Sequence, residues 1–150
     1  MADTPQALSP QQLAEKVCVG MMADDHATKM LGIQVMEVGP GRAVFQMTVR
    51  QDMLNGHAIC HGGLIATLAD STFAFACNAY NELTVASGFA IDLMAPGRLG
   101  DVLTARCTEV SKAGRTGVYD TEIRNQRGEL IAVFRGRSYT ARGKPVVSLD

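Results

Sequence analysis

The sequence predicts an α+β fold in which one long buried helix is wrapped by an antiparallel sheet of five or six strands. Three observations predict it. An apolar run of helix length extends from Gly62 to about Tyr80 and carries a single carboxylate, Asp70. Segments of strand character precede and follow that run, separated by Gly- and Pro-containing breaks. No connection after residue 82 is long enough for a crossover helix, so consecutive strands should be mostly antiparallel meanders. The 150 residues suit one domain, since neither a repeat, a low-complexity tract nor a linker divides them.

Each element has a local reason. Residues 1–8 read as a loose leader. Ser9-Pro10-Gln11-Gln12 is a helix start, with Ser as N-cap, Pro at the first helical position and Gln at the third, and the helix should run to about Met22. Asp24-Asp25 caps a second, short helix that ends before Gly32. A strand over Gly32–Val38 stops at Gly39-Pro40-Gly41. The next, Arg42–Arg50, places Ala43, Phe45, Met47 and Val49 on one face. A polar loop, Gln51–His61, leads into the Gly62 helix, which is apolar nearly all round and should therefore be buried. Strands follow over Leu83–Met94, Asp101–Ser111, Arg115–Asn125 and Leu130–Ala141.

Composition excludes several classes of function. A formal net charge of −1, with no basic block longer than a pair, gives nucleic acid nothing to hold. The absence of Trp and the low aromatic content remove a base-stacking platform. No apolar stretch reaches the ~20 residues of a membrane helix, and Met1–Gln6 lacks the features of a signal peptide, so a cytoplasmic location is expected. Cys18, Cys60, Cys77 and Cys107 are widely spaced, without a CxxC pair, and read as free thiols.

The chemistry gathers around Asp70. A carboxylate is costly to bury unless it is paired, hydrogen-bonded or used in a reaction. Ser71 and Thr72 could satisfy it locally, which is the structural alternative. The helix that carries it begins with Gly62-Gly63, an N-terminus free of side chains whose N–H groups can hold a developing oxyanion. Together these features suggest acyl transfer or hydrolysis. A Cys60–His61 nucleophile is disfavoured, because adjacent side chains rarely face each other. A metal site from His26, His57, His61 and Cys60 is disfavoured, because His57 and His61 are four residues apart but the loop between them is not evidently helical.

Asn55-Gly56-His57-Ala58-Ile59-Cys60-His61-Gly62-Gly63, followed by Asp70, resembles the signature of the hotdog-fold acyl-CoA thioesterases. More narrowly, Met53–His57, Cys60–Gly63, Phe75–Asn78, Thr116–Asp120 and Phe134–Gly136 are similar to the phenylacetyl-CoA thioesterases of phenylacetate degradation. The resemblance spans roughly residues 15 to 140. It implies hydrolysis of phenylacetyl-CoA and its ring-hydroxylated relatives, with no cofactor and no metal. Asp70 is then the base or the nucleophile, Gly62 the oxyanion donor, and Asn55 a residue that positions water or the carbonyl. His61 orders the Asn55 loop or assists at the thioester. Ala66, Ala69, Ala74 and Ala76 would leave room for a ring.

Spacing adds one inference. Eight helical residues rise ~12 Å, far beyond the ~3 Å over which a base acts. Gly62 and Asp70 should therefore meet across a two-fold dimer interface, and the resemblance implies self-association as a homodimer and a homotetramer. For the phosphates of coenzyme A the candidates are Arg115, Arg135, Arg137 and Arg98, with Gly136 allowing close approach, while Gly63, like Gly62, lets a backbone N–H come close to the substrate carbonyl. Two alternatives stand beside this reading. One is a thioesterase for another acyl group, such as hydroxybenzoyl-CoA. The other is a non-catalytic acyl-CoA-binding module.

Overall fold

The computed structural model describes residues 6–150; the first five positions of the expected leader lie outside the described residues. Helix α1 (Pro10–Asp24) begins at a reciprocal cap: Ser9 Oγ accepts from the Gln12 N–H, and Gln12 Oε1 accepts from the Ser9 N–H. Helix α2 (His26–Met30) starts where the Asp25 carboxylate accepts the Thr28 N–H at 3.0 Å. These are the two starts that the Ser-Pro and Asp-Asp sequences predict.

Strands β1 (Gln34–Gly39) and β2 (Arg42–Thr48) form a hairpin, and Ala43, Phe45, Met47 and Val49 are buried as their alternation requires. The central helix α3 (Gly62–Cys77) follows a loop that contains one 3-10 turn. Then come β3 (Thr84–Leu93), β4 (Val102–Ala113), β5 (Thr116–Arg124) and β6 (Leu130–Thr140). All six strands make one antiparallel sheet in the order β1-β2-β4-β5-β6-β3. Its inner face packs on α3 through an aromatic column, with Phe73 against Tyr119 and Phe134, and Phe75 against Phe45 at 4.9 Å between ring centroids.

Two features differ from the sequence reading. The strands after α3 are not a simple meander, because β3 pairs with β6 at the far edge rather than with β4. Residues 94–101 carry the chain back across three strand spacings, about 14 Å. Their backbone is held on the way: Met94 N–H donates to Ile131 O, Gly97 O accepts the Cys60 N–H, and Gly100 N–H donates to Val49 O. Helix α3 is also not buried all round. A stripe of Gly63, Ala66, Thr67, Asp70 and Ala74 stays at least partly open, because the sheet covers only one side of the helix.

The two sheet edges are unlike. On β1, α1 reaches the edge at Val38, where Gln11 Nε2 donates to Val38 O at 2.7 Å, while Gln34, Val35, Met36 and Glu37 stay exposed. Strand β3 is exposed over most of its length and carries Val85, Phe89 and Leu93 in the open.

Candidate active site

The N-terminus of α3 is built by the loop before it. Leu54 and Cys60 bridge the neck of that loop, and Asn55 organises its tip: Asn55 Oδ1 accepts the His57 N–H at 2.9 Å and, at 3.4 Å, the Ile59 N–H. Among the described residues the Asn55 Nδ2 amide makes no hydrogen bond, so the turn role consumes only its oxygen. His61 is the N-cap of α3, with Nδ1 accepting the Gly63 N–H at 3.3 Å. That bond puts the proton of a neutral imidazole on Nε2. It also occupies the Gly63 amide, while Leu64 and Ile65 N–H both turn back to His61 O. The Gly62 N–H has no acceptor among the described residues and is the unspent donor at the positive end of α3.

Gly62 is glycine for a packing reason as well. A Cβ there would lie 2.6 Å from Leu93 Cδ1, at the end of the exposed strand β3. Gly62 and Asn55 share a cleft of about 390 Å³ with Ile59, Ile65, Leu93 and Met94.

Asp70 sits two turns further along the open stripe, half-buried. Its two neighbours do not satisfy it. The Ser71 hydroxyl is paired with Thr28 Oγ1 at 2.8 Å, and the Thr72 hydroxyl donates to Leu68 O at 2.7 Å. Among the described residues the Asp70 carboxylate makes no hydrogen bond. Burial raises its pKa above the ordinary carboxylate value, and the like charge of Asp25 raises it further. An unpaired carboxylate made more basic than usual is suited to taking a proton.

The other residues singled out from the sequence fall in several places. Cys60 is buried, its thiol is pushed up by burial, and its sulfur faces the His61 carbonyl, so it is a poor nucleophile. Ala66 and Ala74 flank Asp70 on the open stripe, whereas Ala69 and Ala76 are in the core. Within one chain the arginines are not gathered at the cleft. Arg135 projects from the outer face of the sheet and grips Asp120 in a fork, at 2.7 and 2.8 Å. Arg137 lies on the same face, across Gly88. Arg115 bonds the Tyr139 hydroxyl at the far end of the sheet, and Arg98, in the crossing segment, shares the end that holds Gly62. Gly136 faces inward, where a Cβ would come 2.9 Å from the Phe73 ring, so its lack of a side chain makes room for the core.

Sequence reasoning missed Asp25 as a neighbour of the site. It also missed a polar cluster at the other end of α3, where Tyr80 and the buried Tyr119 both donate to Glu109 Oε1, at 3.0 and 2.9 Å. Two tyrosines and a glutamate on separate elements carry no spacing signal.

A central helix wrapped by this six-stranded sheet, with an open N-terminus and an unpaired acid, defines a hotdog-fold thioester hydrolase. The model of the family described as Thioesterase superfamily matches residues 57–132, and the chain belongs to that superfamily. It is 46% identical over 123 residues to the acyl-coenzyme A thioesterase PaaI of Escherichia coli strain K12, which covers 82% of this chain and 88% of that protein. The solved structure of E. coli PaaI, from the phenylacetic acid degradation operon, superposes with a TM-score of 0.89 at 43% identity, covering 91% of this chain and 99% of that one. The TT0310 protein of Thermus thermophilus superposes with a TM-score of 0.75 at 37% identity, over 78% and 98% of the two chains.

Proposed function

We propose that the protein hydrolyses phenylacetyl-CoA and ring-hydroxylated phenylacetyl-CoAs to the free acid and coenzyme A in the catabolism of phenylacetate, acting as a homodimer or a homotetramer in the cytoplasm. The observation that carries this reading is the Asp70 carboxylate, half-buried, unpaired and raised in pKa, on the helix whose first N–H is unspent. Asp70 acts as general base. It takes a proton from water, the water oxygen attacks the thioester carbonyl, and the carbonyl oxygen becomes an oxyanion. The Gly62 N–H of the partner subunit holds that oxyanion. Collapse of the tetrahedral intermediate breaks the C–S bond, and the departing thiolate recovers the proton from Asp70. The free amide of Asn55 orients the water or the carbonyl, and Ala66 and Ala74 leave room for the ring. One or two of Arg98, Arg115, Arg135 and Arg137 hold the phosphates of coenzyme A, some of them from another subunit.

Two features support a second copy on the β3 side. Gly62 and Asp70 are separated along one helix by ~12 Å. The β3 edge is ten residues long, open and apolar, whereas α1 occupies the shorter β1 edge at Val38. The test is release of free thiol from phenylacetyl-CoA by the wild type and Asp70→Asn. A loss of ~10² or more in the variant is expected for removal of a general base. Equal rates would return Asp70 to a structural role, and no turnover by the wild type on any acyl-CoA would make the chain a binding module. A single turnover in ¹⁸O-water separates base from nucleophile, because label in the Asp70 side chain would mark an anhydride.

A further inference from the structure

The corner between α1 and α2 is tied to α3 next to the acid that the proposed reaction uses. Asp25, partly buried, fixes the first turn of α2 by accepting the Thr28 N–H at 3.0 Å. Thr28, fully buried, then places its hydroxyl 2.8 Å from that of Ser71, itself buried. Ser71 is the residue after Asp70. A buried hydroxyl pair is directional and exchanges with nothing, so it sets α2 at one position on α3. The N-capping carboxylate of α2 is thereby carried to the neighbourhood of the catalytic one.

Building on Asp70 as the general base, we propose that Asp25 is a positioning residue for the reaction: held as the cap of α2 and tied through Thr28 to Ser71, its negative charge sets how readily Asp70 accepts a proton.

Within the chain, Asp25 is the charged group that bears on Asp70. The sheet packs on the opposite side of α3 from the open stripe and meets the helix through neutral groups, Phe45, Tyr119, Phe134 and Gly136, against Phe73 and Phe75. Cys77, on α3 itself, is a buried thiol pushed up to about 12 and stays neutral. Glu109, on β4, is engaged by Tyr80 and Tyr119, and Lys112 lies over the Tyr80 ring. His26 follows Asp25 and is exposed. The like charge of Asp25 acts on Asp70 in the same direction as burial. Each makes the carboxylate more basic, which strengthens it as a proton acceptor at the cost of keeping it protonated to higher pH.

Asp25→Asn is the discriminating variant, because Asn caps a helix about as well as Asp and only the charge is lost. The acid limb of the kcat/KM profile with phenylacetyl-CoA should move to lower pH. The Asp70 carboxyl carbon, assigned by its absence in Asp70→Asn, should titrate at lower pH by ¹³C NMR in the same variant. Thr28→Val, which breaks the hydroxyl pair but keeps the charge, should lower kcat while moving the limb less. An Asp70 resonance and an acid limb both unmoved in a folded Asp25→Asn protein would overturn the inference and leave the catalytic reading intact. A resonance that moves while Asp70→Asn retains full activity would instead overturn Asp70 as the base, and with it any positioning role for Asp25.

Discussion

If the site is shared between subunits, two inactive variants should make an active protein together. Asp70→Asn removes the base. Gly62→Pro removes the oxyanion N–H with little other change, because Gly62 is the first residue of α3, a position where proline is favoured. His61 already has φ −58° and ψ 128°, the extended conformation that a following proline demands. The new Cβ meets only the tip of the flexible Leu93 side chain. Alone, the first variant should lose ~10²–10⁴ in rate and the second ~10²–10³. In a mixed dimer one site pairs the intact Gly62 of the Asp70→Asn chain with the intact Asp70 of the Gly62→Pro chain, while the other site is doubly defective. Random assembly makes about half the dimers mixed, so about one site in four is whole. Co-expressed chains carrying different affinity tags should therefore regain about a quarter of wild-type activity, and the doubly purified mixed dimer about half. Mixed dimers verified by native mass spectrometry that remain as inactive as either parent would refute the shared site.

Three further outcomes test other parts of the structure. His61→Ala should lower stability by about 1 kcal/mol through loss of the α3 cap, and His61→Asn should restore most of it, as read by urea denaturation. Glu109→Leu strips the buried Tyr119 hydroxyl of its acceptor and should cost about 1–3 kcal/mol, with part recovered when Tyr119→Phe is added. Asp70→Asn should be more stable than the wild type near neutral pH. A carboxyl whose pKa is raised on folding contributes stability below its unfolded value and loses it as pH rises through the folded one, so the gain should vanish at pH below the ordinary Asp value of ~3.9.

What was legible in the sequence was legible because it is local. The Ser9 box, the Asp25 cap and the alternation of Arg42–Arg50 each depend on residues a few positions apart, and the structure contains each of them. The place of β3 in the sheet is not local. Periodicity marks a strand and its buried face, but which strand lies beside it is set by where α3 delivers the chain. The directions of Arg135 and Arg137 were available in principle. They alternate with Phe134, Gly136 and Ser138, and the burial of a phenylalanine fixes which parity points to the core.

Asp70 and Asp25 mark the limit from two sides. Asp70 is conspicuous because nothing nearby accounts for it: a carboxylate in an apolar helix asks for a partner, and Ser71 and Thr72 have spent their hydroxyls elsewhere. Asp25 gives no such sign, because capping α2 accounts for it completely. A residue with a satisfied local role shows nothing of a second one. What relates it to Asp70 is the hydroxyl pair of Thr28 and Ser71, a contact between residues 43 positions apart that no spacing announces. A site assembled on such contacts shows in sequence through its unsatisfied members, and the groups that tune them come into view only with the fold.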